Sequence, residues 1–119
     1  MVRDFFDLEV WRKAHSLTLQ IYQVSEAFPR EENFGVTAQL RRAATSIGAN
    51  IAEGYARYGH RDKTKFYIIA RASAAETQNF LVVATDLGWL DKGLSGGLIE
   101  QIHSIRQMLS ALVRSQRLL

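Results

Sequence analysis

Apolar residues recur every third or fourth position in four separate stretches of the chain. Val10, Ala14, Leu17, Ile21, Val24 and Phe28 step by 4, 3, 4, 3 and 4, the rhythm that lines side chains along one face of an α-helix. Leu8, Trp11, Thr18 and Tyr22, with His15 among them, run beside that stripe and give the first helix a second covered face. The helix is expected to end before Pro29, because the residue preceding a proline is driven out of the α region. The same spacing returns at Leu40, Ala44, Ile47, Ile51, Gly54 and Tyr58, with Asn33 as the expected N-cap. After a break at "YGHRD", Asp62 is expected to cap a third stripe formed by Phe66, Ala70, Ser73, Thr77, Phe80, Ala84 and Leu87. "DLGWLDKG" stops it, and Ser95 is expected to open a fourth, carried by Leu98, Ile102, Ile105, Leu109 and Leu112.

Four helices with short connections predict an all-α fold, an antiparallel up-down-up-down four-helix bundle, because short loops force sequential helices to run in opposite directions. Residues 1–119 read as one domain, long enough for a single core. One proline in the whole chain suits long helices, and the absence of cysteine excludes disulfides, thiolate zinc sites and cysteine nucleophiles. No apolar run approaches the roughly 20 residues of a membrane span, and "MVRDFFDLEVWRK" is too acidic for a signal peptide. The expectation is a cytoplasmic protein that does not enter membranes.

Charge changes the picture more than composition does. The net charge is only +3, but residues 1–32 hold 4 basic and 6 acidic side chains, residues 33–71 hold 7 and 2, and residues 72–119 hold 4 and 4. Within the basic middle third lies "RRAATSIGANIAEG", a helical stretch with only Ile47 and Ile51 large and apolar. Each glycine there costs about 0.5–1 kcal/mol of helix stability relative to alanine, so something must approach the backbone closely. That approach is read either as helix packing inside the bundle or as a contact between subunits. Arg42, Ser46, Asn50, Glu53 and Arg57 step by 4, 4, 3 and 4 along one stripe, and Arg71, Ser73 and Glu76 on the third helix are expected to face it. Arg41, Arg42, Ser46, Asn50, Glu53, Ser73 and Glu76 are therefore read as an ion-pair and amide network that sets register at a packed interface. The alternative is a solvated polar face. On the network reading, Glu53→Ala strands a buried arginine, costs a few kcal/mol and shifts the oligomer.

Arg57, Arg61, Lys63, Lys65 and Arg71 gather around the turn between the second and third helices, with His60, Tyr55, Tyr58 and Tyr67 interleaved and Asp62 the only acidic residue from 57 to 71. This is candidate chemistry for phosphate contact, with tyrosines to stack on unpaired bases. Its bland counterpart is a solvent-exposed corner whose tyrosines pack into the bundle end. Other chemistry is poorly supported. Glu100 and His103 have the Glu-x-x-His spacing of a di-iron bundle, but no second copy exists. No serine nucleophile motif, P-loop or Rossmann glycine pattern occurs. The chain reads as non-enzymatic, with no cofactor and no metal.

"DLEVWRKAHSL", "FPREENFGVTAQLRRAATSIGANIAEG", "KFYIIARASAAE" and "DLGWL", in that order, resemble the four-helix-bundle family first noticed as the product of intervening sequences in bacterial 23S ribosomal RNA genes. A related protein, the accessory variability determinant of diversity-generating retroelements, forms a pentameric barrel that binds nucleic acid and a reverse transcriptase. The resemblance thus implies a homo-oligomer, a pentamer, with a positively charged surface, and its recurrent polar positions fall on Arg41, Arg42, Ser46, Asn50, Glu53, Arg71, Ser73 and Glu76. Two positions depart from the family pattern: Gly48 stands where proline is usual, and Gln78 where a second acidic residue is common. The combined expectation is a ring-forming bundle that binds RNA or DNA without sequence preference. A scaffold or protein-interaction module without a nucleic-acid ligand is the alternative.

Overall fold

The computed structural model describes residues 1–119 as four helices with no strand: α1 (Glu9–Ser25), α2 (Val36–Ala56), α3 (His60–Asp86) and α4 (Lys92–Arg117). Cross-contacts show each neighbour running opposite to the last. Trp11, Thr18 and Tyr22 of α1 meet Gly48, Ala44 and Arg41 of α2. Tyr67, Ser73 and Glu76 of α3 meet Gly54, Ser46 and Arg42 of α2. His60, Arg71 and Thr85 of α3 meet Gln116, Ser110 and Ser95 of α4. A reciprocal amide pair between Gln20 and Gln101, 2.9 and 3.0 Å, joins α1 to α4 and closes the bundle.

The core follows the predicted stripes on α1, on α2 as far as Gly54, and on α4, where Leu17, Ile21, Leu40, Ile47, Ile51, Ile102, Ile105 and Leu109 are fully buried; Tyr58 lies past the end of α2 and is exposed. On α3 the stripe is rotated. Tyr67, Ala74 and Leu81 are buried beside Ala70, Ser73, Thr77 and Ala84, whereas Leu87 is exposed and Phe66 and Phe80 are only partly covered. The seam with α2 draws that face inward, because small residues on both helices bring the backbones together. At the far end of α4, Val113 is buried and Leu112 half-buried.

All three expected caps are displaced, the first by two residues further along the chain and the other two toward the preceding loop. A short 3₁₀ turn at Arg30–Glu32 absorbs Asn33, so α2 starts after Gly35, with the Glu32 carboxylate accepting from the Val36 N–H at 3.4 Å. Helix α3 starts after Gly59, and Asp62 sits within its first turn, where a carboxylate still favours the positive helix end. Asp91 caps α4 by accepting from the Leu94 N–H at 3.1 Å, leaving Ser95 one turn inside and buried. The end of α3 obeys the sequence: Gly88, at φ +82°, supplies the left-handed residue of a Schellman turn, with Trp89 N–H bonded to Ala84 C=O and Gly88 N–H to Thr85 C=O. No helix is long and apolar enough to cross a membrane.

Candidate nucleic-acid interface

The small residues of α2 have an answer inside the chain. A Cβ on Gly54 would stand 2.7 Å from the Tyr67 ring and 3.1 Å from the Phe66 Cβ, so only glycine lets α3 lie this close. Gly48 lies under the Trp11 indole, whose Nε1 is 3.4 Å from where a Cβ would be. Trp11 is in turn stacked on His15 and edge-on to Phe5, which covers the start of the second face of α1 within the protomer, whereas His15 and Tyr22 stay exposed. Ala43 and Ala44 are buried, and Thr18 reaches over to donate to the Ala44 carbonyl at 3.1 Å. Three other small residues, Ala38, Thr45 and Ala49, face outward. With Tyr22, Thr37 and Arg41 they help to line an open groove of about 790 Å³.

The expected polar network forms only in part. Ser46 and Ser73 share a hydrogen bond of 3.0 Å across the seam, Asn50 Nδ2 donates to Ser46 Oγ and C=O at 2.9 Å, and Arg42 lies 3.9 Å from Glu76. Arg41 belongs elsewhere. Its Nε donates to Ser25 Oγ at 2.8 Å, its guanidinium to the Tyr22 carbonyl at 3.2 Å, and it covers the Tyr22 ring, so it closes the C-terminal turn of α1. Glu53 is exposed and paired with Arg57 one turn on, at 3.4 Å, with neither Arg41 nor Arg42 in reach. Removing Glu53 therefore strands no buried charge within the protomer, so the expected loss of a few kcal/mol requires a contact between subunits.

The five basic residues of the α2–α3 corner also separate. Arg57 is taken up by Glu53 and the Phe66 ring, 4.6 Å from its guanidinium. Lys63 donates to the Tyr55 carbonyl at 2.7 Å and lies over the Tyr55 ring, closing the C-terminus of α2. Arg61 and Lys65 are exposed and make no salt bridge. Arg71 points to α4, where its Nε donates to Ser110 Oγ at 2.9 Å. Tyr67 is 2% exposed and unavailable for stacking, and burial pushes its phenol above the ordinary tyrosine value, helped by Tyr55. Tyr58 is fully exposed.

Helix α4 completes the surface. Arg71, His103, Arg106, Gln107, Ser110 and Arg114 line a cleft of about 290 Å³ between α3 and α4. Arg114 and Arg117, in the last turn of α4, sit beside Ile68 and Ala72 in the adjoining hollow. Residues 101–119 hold three arginines and no acidic residue, while residues 72–100 hold Lys92 against Glu76, Asp86, Asp91 and Glu100. Taken as one block these halves cancel, so a charge count over residues 72–119 hides the basic half of α4. Glu100 and His103 are exposed and 4.0 Å apart.

The family model described as 23S rRNA-intervening sequence protein matches residues 6–111. Among solved structures, the fold is similar to the crystal structure of a protein with unknown function from the S23 ribosomal protein family of Bacteroides thetaiotaomicron, 22% identical, with a TM-score of 0.81 over 87% of this chain and 97% of that one. No curated protein matches the chain.

Proposed function

The chain belongs to the 23S rRNA-intervening sequence protein family, and from that premise we propose that it is a non-enzymatic homo-oligomer that holds RNA or DNA, without sequence preference, on its basic side. The observation that carries this reading is the run of cations with no acidic partner: Arg61, Lys65, Arg71, Arg106, Arg114 and Arg117 make no salt bridge. Residues 57–71 and 101–119 together carry eight basic side chains against Asp62 alone. Antiparallel α3 and α4 bring these two segments side by side, and such a surface attracts a polyanion by releasing its counterions. Arg57 and Lys63 serve the reading indirectly, by holding the corner in shape.

Self-association is supported by the outward groove of α2, lined by Ala38, Thr45 and Ala49, together with Phe34, 99% exposed in the preceding loop. A bare aromatic beside a small-residue groove suits burial against a second copy. In a ring the basic side is repeated, multiplying phosphate contacts, and five copies is the number that the family resemblance implies. The exposed Phe34 equally suits a protein partner, which keeps the scaffold reading as the competitor. Size-exclusion chromatography with light scattering, run with labelled RNA at low and high salt, tests the proposal. A pentamer that co-elutes with RNA at low salt and releases it at high salt is the expected result. A pentamer indifferent to RNA and DNA favours the scaffold, and a monomer removes the ring.

A further inference from the structure

The cleft between α3 and α4 has a more particular chemistry than the basic surface around it. Its six lining residues, Arg71, His103, Arg106, Gln107, Ser110 and Arg114, include no acidic and no apolar side chain. Its three guanidinium groups make no salt bridge. Arg106 Nε is buried with no hydrogen-bond partner, and no carboxylate of the chain pairs with that guanidinium. Arg71 Nε occupies the acceptor side of Ser110 Oγ at 2.9 Å, leaving that hydroxyl free to donate. Every side chain of the cleft can donate, so its ligand is compact, rich in acceptors and multiply negative.

Carboxylates and phosphodiesters each bring one charge and two free oxygens. A phosphate monoester brings about −1.5 to −2 charges and three strong acceptor oxygens, a better match to three arginine forks. The adjoining hollow, about 500 Å³, shares Arg71, Ser110 and Arg114 with the cleft and offers apolar surface from Ile68, Ala72, Ala75 and Val113. That surface suits a sugar and base lying next to the phosphate. Glu100, near the rim beside His103, has a largely exposed side chain and does not line the cleft.

We infer that the α3–α4 cleft binds the phosphate monoester of a nucleotide, with its nucleoside over Ile68, Ala72 and Ala75. The inference rests on the nucleic-acid reading only for its source, a phosphorylated strand end; a free nucleotide carries the same chemistry. The experiment titrates the full chain with one short RNA bearing a 5′-phosphate, a 3′-phosphate or hydroxyls at both ends, and with AMP and adenosine. Wild type is compared with Arg106→Gln, Arg114→Gln and the double variant Arg61→Gln/Lys65→Gln. Arg114 is exposed, so its replacement reads the cleft even if loss of Arg106 disturbs folding.

A phosphorylated end should bind about tenfold tighter than its hydroxyl twin, the worth of one charge-assisted contact. That preference should vanish in both cleft variants and survive in Arg61→Gln/Lys65→Gln. AMP preferred over adenosine, with no end effect on RNA, keeps the cleft and identifies a free nucleotide as its occupant. AMP bound while no RNA or DNA is held sinks the nucleic-acid reading and leaves the cleft standing. Equal binding of all three RNA ends together with equal binding of AMP and adenosine overturns the inference, even if RNA is held. A preference that survives both Arg106→Gln and Arg114→Gln overturns it as well.

Discussion

The two sides of α3 are built on opposite principles. Toward α2, charged and polar groups are mostly paired: Ser46 bonds Ser73, Asn50 bonds Ser46, and Arg42 faces Glu76, although the buried Thr37 hydroxyl has no partner. Toward α4, Arg71, Arg106 and Arg114 converge with no carboxylate, and one buried nitrogen of Arg106 has no partner. The first seam is a solved packing problem, with glycine where an aromatic ring must pass. The second leaves charge unbalanced, and evenly placed surface charge is normally compensated. Charges that the fold satisfies explain the fold; charges that it leaves open point to a ligand.

That contrast breaks first if the α4 side proves to be structural. Arg71→Gln/Arg114→Gln/Arg117→Gln should weaken RNA binding by roughly a hundredfold or more, at about 1 kcal/mol or more per charge-assisted contact. Its melting temperature should stay near that of wild type. A cooperative loss of folding instead would move these arginines to the same class as Arg41 and Lys63. On the α2 side, Gly54→Ala should lose about 2 kcal/mol in urea unfolding, since the Tyr67 ring cannot yield without disturbing the core. RNA affinity of the folded variant should be unchanged.

Smaller effects sharpen the comparison. Gly48→Ala meets Trp11 only at 3.4 Å and removes a mid-helix glycine, so it should be neutral or gain up to about 1 kcal/mol. A loss above that size would show that Trp11 tolerates no added methyl. Glu53→Ala removes one exposed pair with Arg57 and should cost under about 0.5 kcal/mol. A cost of several kcal/mol, with a change in mass by light scattering, would restore Glu53 to a buried interface between subunits.

The helices and most of the core were legible because apolar spacing is a direct consequence of helix geometry. Leu17, Ile51 and Ile105 lie where the rhythm puts them. The rotation of α3 was not legible, because Tyr67 and Phe66 are equivalent to a periodicity argument and only the absence of a side chain on Gly54 selects the tyrosine. Caps slipped by a few residues because Glu32 and Asp91 act from the loops. The resemblance to a family is carried by four ordered segments, from "DLEVWRKAHSL" to "DLGWL", and the matched family bears it out.

The candidate site was half legible. Arg61, Lys65 and Arg71 stand out by charge, but Arg57 and Lys63 look identical to them until their contacts with Glu53, Phe66 and the Tyr55 carbonyl are seen. Arg106, Arg114 and Arg117 were hidden in a helix whose two halves carry opposite charge. Only the antiparallel pairing of α3 with α4 sets them beside Arg71.

The central claim is that the uncompensated cations of α3 and α4 hold nucleic acid through its phosphates. It is tested most directly by the equilibrium constant for a single-stranded RNA measured across a range of salt concentrations. At about four phosphate contacts per protomer, a plot of log K against log salt should fall with a slope near −3, and the slope should flatten when Arg71, Arg114 and Arg117 are replaced. Absence of binding at low salt, or a slope that the triple replacement leaves unchanged, would contradict the account.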